Sequence, residues 1–324
     1  MSLAREYLDL EYSSILQIPD PDERAPALSK LGLLYYGLYQ ESRKTGDLDK
    51  AISVDEKTVQ HTTATHPRHA EHLSILGTTL QLRFSRKGDI TDVERAIEIY
   101  ENACQLMDDA NPGKPGLLSN LGIALQKHFD QFGILADLEK AILNMEQAVN
   151  LTPDGHADKP GLLSSLGNSL RTRFEQLGSL ADLENAILNN QRAVDLTPDR
   201  HTNKPGRLSN LGIALATRFD RLGILADLEN AILNNQKAVD LTPDGHLRKP
   251  VYLPNLGITF ETRFHRFGSP VDLENAILNK QKAVDLTPDG HPNKPDRLSN
   301  LGNALETRFD RIGRLEYLGN AILT

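Results

Sequence analysis

The sequence predicts an all-α protein, an α-solenoid of stacked antiparallel helix hairpins. Three observations carry this expectation. A Leu–Gly pair recurs seven times at a spacing of 45 residues, with glycines at Gly32, Gly77, Gly122, Gly167, Gly212, Gly257 and Gly302, and no insertion or deletion breaks the register. A fixed period of this size marks a stacked-repeat protein. Each period also holds two apolar stripes at helical spacing, and each stripe ends in turn-forming residues.

The unit from Pro205 to Lys249 shows the elements in order. Leu208, Leu211, Leu215, Phe219 and Leu222 are spaced as the apolar stripe of an amphipathic helix. Lys204-Pro205 supplies a start signal, because proline suits the first helical turn, and Gly223 supplies a stop. This first helix covers about 18 residues, roughly 27 Å at 1.5 Å per residue. Leu228, Ala231, Ile232, Ala238 and Val239 form the stripe of a second helix. Asp227 and Glu229 fall in its first turn, where negative charge favours the helix dipole. Thr242-Pro243-Asp244-Gly245 ends it with turn chemistry. Two such stripes cannot be buried within one hairpin, so neighbouring hairpins must stack. Gly212 lies inside the first helix at a cost of about 1 kcal/mol relative to alanine. Its recurrence points to close helix–helix approach, with Ala231 and Ala238 as the small residues of the second helix.

Composition bounds the function. The chain of 324 residues is 39% hydrophobic and 25% charged, which fits a soluble, folded protein. It carries 44 acidic against 36 basic residues, a net charge of −8. That balance speaks against nucleic acid, which rewards clustered Lys and Arg. Cys104 is the single cysteine, so no intramolecular disulfide forms and a reducing, cytoplasmic setting is expected. Cys104 sits in the helix-like stretch Ala96–Met107 and reads as a small core residue. No stretch approaches the ~18 apolar residues of a membrane span, and Met1–Leu10 holds no signal-peptide core.

The register divides the chain. Residues 1–24 form a capping helix, a degenerate half repeat in which Ile15 and Pro19-Asp20 echo Val239 and Pro243-Asp244. Repeats follow at residues 25–69, 70–114, 115–159, 160–204, 205–249 and 250–294, with a truncated seventh at 295–324. That last unit stops partway through its second helix at Ala321-Ile322-Leu323-Thr324. An array ending on apolar residues lacks a polar cap, so the chain reads as a piece of a longer protein, and its end is a candidate for end-to-end self-association.

The unit resembles the tetratricopeptide repeat (TPR). The resemblance rests on Leu211-Gly212 in the first helix, on Ala231 and Ala238 in the second, and on Pro243 after them. Extra residues between Gly212 and Ala231, and between Pro243 and Gly257, make this unit longer than the standard one. The aromatic expected four residues after the first alanine is lost at Asn190 and Asn235, while Tyr100 and Met145 keep bulk there. The resemblance implies a TPR-like right-handed superhelix whose first helices line a concave face. The long form, with its LTPDGH…KP linker, looks like TPR arrays of large fungal proteins. Some of those carry a CHAT protease domain or a nucleotide-binding domain elsewhere in the polypeptide.

Chemistry-bearing residues repeat with the register. His66, His156, His201, His246 and His291 share one position, with Asn111 in the remaining slot. Successive repeats are at least ~8–10 Å apart, whereas zinc ligands lie about 2 Å from one ion, so these histidines cannot share a metal. The asparagine points instead to hydrogen bonding in the linker. Arg83, Arg173, Arg218, Arg263 and Arg308 precede the core aromatics Phe84, Phe174, Phe219, Phe264 and Phe309, with His128 and Phe129 in the third slot. Three readings are open for these arginines: a ladder for an anionic ligand, pairing with repeat acids such as Glu184, Glu229 and Glu274, or a place along the surface. No phosphate loop, catalytic triad signature or zinc motif is present. The expectation is a chain without catalytic residues, metal or cofactor.

Positions alike in every unit serve the stack, whereas positions that differ are candidates for a ligand. Four residues after the glycine the chain reads Tyr36, Gln81, Gln126, Arg171, Ala216, Glu261 and Glu306. The next position reads Gly37, Leu82, Lys127, Thr172, Thr217, Thr262 and Thr307. The TPR resemblance places both lines along the groove. The candidate partner-binding residues are therefore Tyr36, Gln81, Leu82, Gln126, Lys127, Arg171, Thr172, Thr217, Glu261 and Thr262. The same variability also fits solvent-facing residues under no constraint. The preferred function is a noncatalytic scaffold that binds a protein or peptide partner. The alternative is a regulatory or sensor region of a larger enzyme such as a CHAT-type protease.

Overall fold

The structure, a computed structural model, describes the backbone of residues 2–322 and the side chains of residues 3–311. Every regular element among the described residues is a helix, as the 45-residue period predicts. Helix α1 (Ser2–Ile15) precedes the hairpin of α2 (Pro21–Ser42) and α3 (Thr45–Gln60). The next hairpins are α4 (His69–Lys87) with α5 (Ile90–Leu106), and α6 (Lys114–Phe132) with α7 (Leu135–Leu151). Then come α8 (Lys159–Leu177) with α9 (Leu180–Asp195), α10 (Lys204–Leu222) with α11 (Leu225–Asp240), and α12 (Lys249–Phe267) with α13 (Pro270–Asp285). Helix α14 (Lys294–Ile322) is the last. The helices form two compact units, Met1–Ser169 and Leu170–Thr324, with α8 running through the boundary.

Within each unit consecutive helices pack on one another, and the first helices of successive hairpins also touch, α4 on α6 and α10 on α12. The predicted stripes are the core. Leu208, Leu211, Leu215 and Phe219 of α10 are buried against Leu228, Ala231, Ile232, Ala238 and Val239 of α11 and the residues of α12. Leu222 departs from the expectation and is exposed, because it is the last helical residue before the chain turns. Gly223 makes that turn at φ 69° and donates its N–H to the Phe219 carbonyl at 2.7 Å. The left-handed conformation is open to glycine without a Cβ penalty. In the first hairpin the same turn is made by Arg43 at φ 57°, the one non-glycine residue with positive φ among the described residues.

The glycine within the first helix sits where two backbones meet. A Cβ on Gly122 would lie 3.1 Å from the Ala141 carbonyl oxygen of α7 and 2.9 Å from Met145 Cγ. The helices approach closely because that carbon is missing.

Two charged interactions recur with the register. The first closes each hairpin. Arg218 on α10 donates Nε and Nη2 to the two carboxylate oxygens of Asp227 on α11, each at 2.7 Å. Arg83–Asp92, Arg173–Asp182 and Arg263–Asp272 repeat this fork, and His128 Nδ1 lies 2.7 Å from Asp137 in the third slot. The aspartate nine residues on is thus the main partner, rather than the glutamates that the sequence suggested. Arg263 does reach Glu229 at 3.0 Å, and Arg308 reaches Glu274 at 3.5 Å. In the first hairpin Leu38 holds the arginine position. There α1 supplies the cation, with Arg5 forking onto Asp47 at 2.6 and 2.7 Å.

The second interaction joins one hairpin to the next. The lysine that opens a first helix turns back onto the carbonyl end of the preceding helix. Lys204 Nζ donates to the Val194 and Thr197 carbonyls at 3.0 and 2.8 Å and lies 3.1 Å from Asp199. Lys114, Lys159, Lys249 and Lys294 repeat the arrangement. Arg24 holds the same register in the first hairpin and donates to the Ile18 carbonyl at 2.8 Å, tying α1 to α2. Beside these cations the linker histidines accept a backbone N–H two residues on, as at Asn203 to His201 Nδ1, 3.1 Å. Asn111 Oδ1 does the same from Gly113 at 2.8 Å, which explains why Asn fills a histidine slot.

Helix α14 continues through Gly313, where the sequence places a turn. Tyr317 stands in the register of the hairpin-closing aspartate there. The apolar end at Ala321–Thr324 lies outside the described side chains.

Removing one inter-repeat lysine should loosen the stack. Lys204→Met strips two carbonyls of a charged donor, and a hydrogen bond to a charged group is worth about 1.5–3 kcal/mol. Urea unfolding should show a loss of that size, whereas a loss below about 0.5 kcal/mol would show that the lysine is not structural glue.

Candidate functional site

The predicted groove residues lie on the first helices, and the structure commits several of them to partners within the chain. In the first unit, Tyr36, Gln81, Leu82, Gln126 and Lys127 are all half-buried. Gln126 donates Nε2 to Asp130 at 2.9 Å, one turn along its own helix. Lys127 Nζ donates to Ser85 Oγ on α4 at 2.7 Å and lies 5.8 Å from the centroid of the Phe84 ring. Burial holds this ammonium below the usual lysine range. Leu82 packs against the core of this unit. Gln81 Nε2 and Gln126 Oε1 are shielded from solvent and have no hydrogen-bond partner.

In the second unit, Arg171, Thr172, Thr217, Glu261 and Thr262 are likewise half-buried. Arg171 pairs with Glu175 one turn along α8. Thr217 Oγ1 bonds to the Ile213 carbonyl of its own helix at 3.0 Å. Glu261 accepts from Lys280 Nζ on α13 at 2.6 Å, and the lysine side chain is 4% exposed. Glu261 therefore neutralises a buried cation.

Lys280 belongs to a buried column of the second helices. Twenty-three residues after each glycine the second helices carry Asp55, Tyr100, Met145, Asn190, Asn235 and Lys280. All six are buried. These side chains fill the space that the glycine leaves open: a Cβ on Gly212 would stand 2.6 Å from Asn235 Oδ1, and one on Gly77 2.6 Å from the Tyr100 ring. The lost aromatic at Asn190 and Asn235 marked this column in the sequence. Its two charged members, Asp55 and Lys280, carried no such mark, because a charged residue at helical spacing reads as a solvated face until packing shows what covers it.

Asp55 is a buried carboxyl of the first unit. Its carboxyl accepts from Thr79 Oγ1 at 2.9 Å. No Lys, Arg or His forms an ion pair with it among the described residues. Burial pushes its pKa up to about 7, against a lesser pull from Thr79. It opens onto a cavity of about 240 Å³ between α2, α3 and α4, which Tyr36 of the predicted groove line also borders.

Two experiments follow. Glu261→Ala should cost about 3 kcal/mol by leaving Lys280 buried without a counter-charge. Adding Lys280→Met should return the urea midpoint to near the parent, since Met145 already fills the same register; a double variant no more stable than the single one would refute the pair. For Asp55, the folded state keeps a proton that the unfolded chain releases between pH about 4 and about 7. Stability from this group is therefore lost as pH rises through that window. Asp55→Asn should match the parent near pH 4 and exceed it at pH 8 by on the order of 4 kcal/mol, and equal stability at both pH values would contradict the buried, uncompensated carboxyl.

No family model and no curated protein matches the sequence. Solved structures match the fold. A thermophilic TPR protein of Thermus thermophilus aligns over 73% of this chain and 98% of its own, with a TM-score of 0.50 and 18% identity. Pseudomonas aeruginosa pilF aligns over 86% of this chain and 98% of its own, with a TM-score of 0.53 and 16% identity. A chain of the APC/C hetero-tetramer Cut9–Hcn1 aligns over 92% of this chain and 46% of its own, with a TM-score of 0.57 and 15% identity. At such identities the likeness is one of fold. The chain is a TPR-like all-α helical repeat array, and no described helix is long and apolar enough to cross a membrane.

Proposed function

We propose that this chain is a noncatalytic protein-interaction scaffold that takes a peptide segment of a partner along its first helices. The observation that carries the reading lies in the first unit. There the varied line Tyr36, Gln81 and Gln126 combines a cavity beside Tyr36 with two buried amide atoms, Gln81 Nε2 and Gln126 Oε1, that have no hydrogen-bond partner. A repeat array presents such a line to an extended or helical segment, and the differing residues select the sequence that binds. The positions that repeat faithfully, such as Lys204, Arg218 and Asp227, are occupied in holding the stack. The proposed division is a cap at 1–24 and seven 45-residue units from residue 25, the last incomplete.

The groove reading is tested with a peptide library displayed on phage and panned on the full chain. Tyr36→Ala, Gln126→Ala and Arg171→Ala together should weaken a selected peptide at least tenfold while moving the melting temperature by no more than a few degrees. Unchanged affinity would refute the assignment. Glu261 is left intact because it neutralises Lys280. Self-association is the second proposed property, because α14 exposes Leu298, Leu305 and Phe309, whose register equivalents Leu253, Phe260 and Phe264 are buried. Sedimentation velocity should show concentration-dependent dimers that Phe309→Lys abolishes, and a monomer at all concentrations would remove the idea.

A further inference from the structure

We propose that the cavity between α2, α3 and α4 is a socket for a single lysine side chain of the bound peptide, with the ammonium group seated on Asp55. This inference deepens the groove reading and rests on it. It starts from an imbalance inside the array. Among the six members of the buried column, two are charged. Lys280 has its counter-ion, Glu261, four residues after the glycine of its own hairpin. Asp55 has none: the equivalent position is Tyr36, which carries no positive charge. The chain thus shows the pairing it uses in this column, a carboxylate and an ammonium meeting beside the glycine. In the first hairpin it supplies only the acid. An uncompensated buried carboxyl weakens the fold that holds it, and a cation from outside would restore the balance.

The cavity has the shape chemistry of a lysine. At about 240 Å³ it is smaller than the ~300–1,000 Å³ of drug-sized sites and much larger than the ~30 Å³ share of one water. Leu33, Ile75 and the Tyr36 ring offer apolar walls for a methylene stem. Leu33 is 56% exposed, so the mouth is open. Ser74 and Thr78 line the same cavity with hydroxyl oxygens, Thr78 Oγ1 donating to the Ser74 carbonyl at 2.8 Å. An ammonium has three donors and no acceptor, which these oxygens can receive. Asp55 Oδ2 is already engaged by Thr79, leaving Oδ1 as the free oxygen, and Oδ1 is the atom nearest Gly32, 2.4 Å from where a Cβ there would stand. A single oxygen suits the point charge of lysine better than the planar fork of arginine, which seeks both oxygens of a carboxylate.

Protonation adds a signature. The titratable groups around the socket are Tyr36 on α2 and Asp55 and Glu56 on α3, while α4 presents hydroxyls. With its pKa near 7, Asp55 must lose its proton before it can pair, so binding releases a proton and strengthens as pH rises.

The test uses the full chain with methyl groups of leucine and isoleucine labelled for NMR. Nα-acetyl-lysine methylamide should shift the Leu33 and Ile75 methyls with affinity about tenfold tighter at pH 8 than at pH 6. Nα-acetyl-norleucine methylamide, which has an uncharged stem, should bind at least tenfold more weakly at pH 8. Asp55→Asn should abolish both the preference for lysine and the pH dependence. Equal binding of the two probes, equal binding to Asp55→Asn, or no shift of these methyls with the lysine probe would overturn the proposal. The phage-selected peptides separate the two ideas. Peptides that lose affinity in the Tyr36, Gln126 and Arg171 variant, yet tolerate lysine-to-norleucine replacement and Asp55→Asn, leave the groove standing and remove the socket. A lysine probe that binds while no peptide does leaves the socket and removes the groove.

Discussion

The stack depends on how each hairpin treats the open end of the one before it. The last carbonyls of an α-helix have no partner within the helix and carry the negative end of its dipole. Here six such ends are met by an ammonium or guanidinium from the first turn of the next helix: Arg24, Lys114, Lys159, Lys204, Lys249 and Lys294. The contact satisfies buried acceptors, opposes the dipole and sets the distance from one hairpin to the next. His69 holds this register in the second hairpin, where its Nδ1 meets Thr62 Oγ1 at 2.8 Å. The preceding threonine recurs as Thr152, Thr197, Thr242 and Thr287, each bonded back to a carbonyl one turn earlier. Helix end and linker are therefore built as one polar joint.

The bidentate Arg–Asp fork performs the complementary task within a hairpin. Its aspartates are nearly fully buried, and two parallel hydrogen bonds fix the angle at which the second helix leaves the first. The first hairpin makes the same fork from a different sequence position. Leu38 replaces the arginine there, and Arg5 arrives from α1 to make the same two bonds. Helix α1 thus buries Leu8 and Ile15 against α2 and α3 and also supplies a charge that the hairpin lacks.

Against joints and forks that recur through most of the array, two varied places meet. One is the line four residues after the glycine, and the other is the buried column opposite the glycine. They touch at Glu261 and Lys280, and they share a cavity at Tyr36 and Asp55. The absent Cβ of the glycine makes room for a side chain of almost any chemistry in that column. This is how a nearly uniform array comes to hold an acid in one hairpin, a phenol in the next and an ammonium in another.

The sequence by itself determined the period, the helix pairs and the apolar stripes, because burial is written in residue spacing. Leu208, Leu211, Leu215 and Phe219 are core for the reason their spacing states. Hydrogen bonding by the linker histidines was also legible, through the asparagine that replaces one of them. The candidate groove line was legible only as variability, which does not distinguish an idle surface from a site. Tertiary structure decided the partners of the charges. Lys204 reads as a helix start and Asp227 as a dipole residue, yet each is engaged by a group brought close by packing. Asp55 reads as one polar residue among many on an amphipathic helix, and only the helix packed over it reveals an acid without a cation. Apolar burial follows a local period, whereas a charge takes its meaning from whichever opposite charge the fold delivers within a few ångströms.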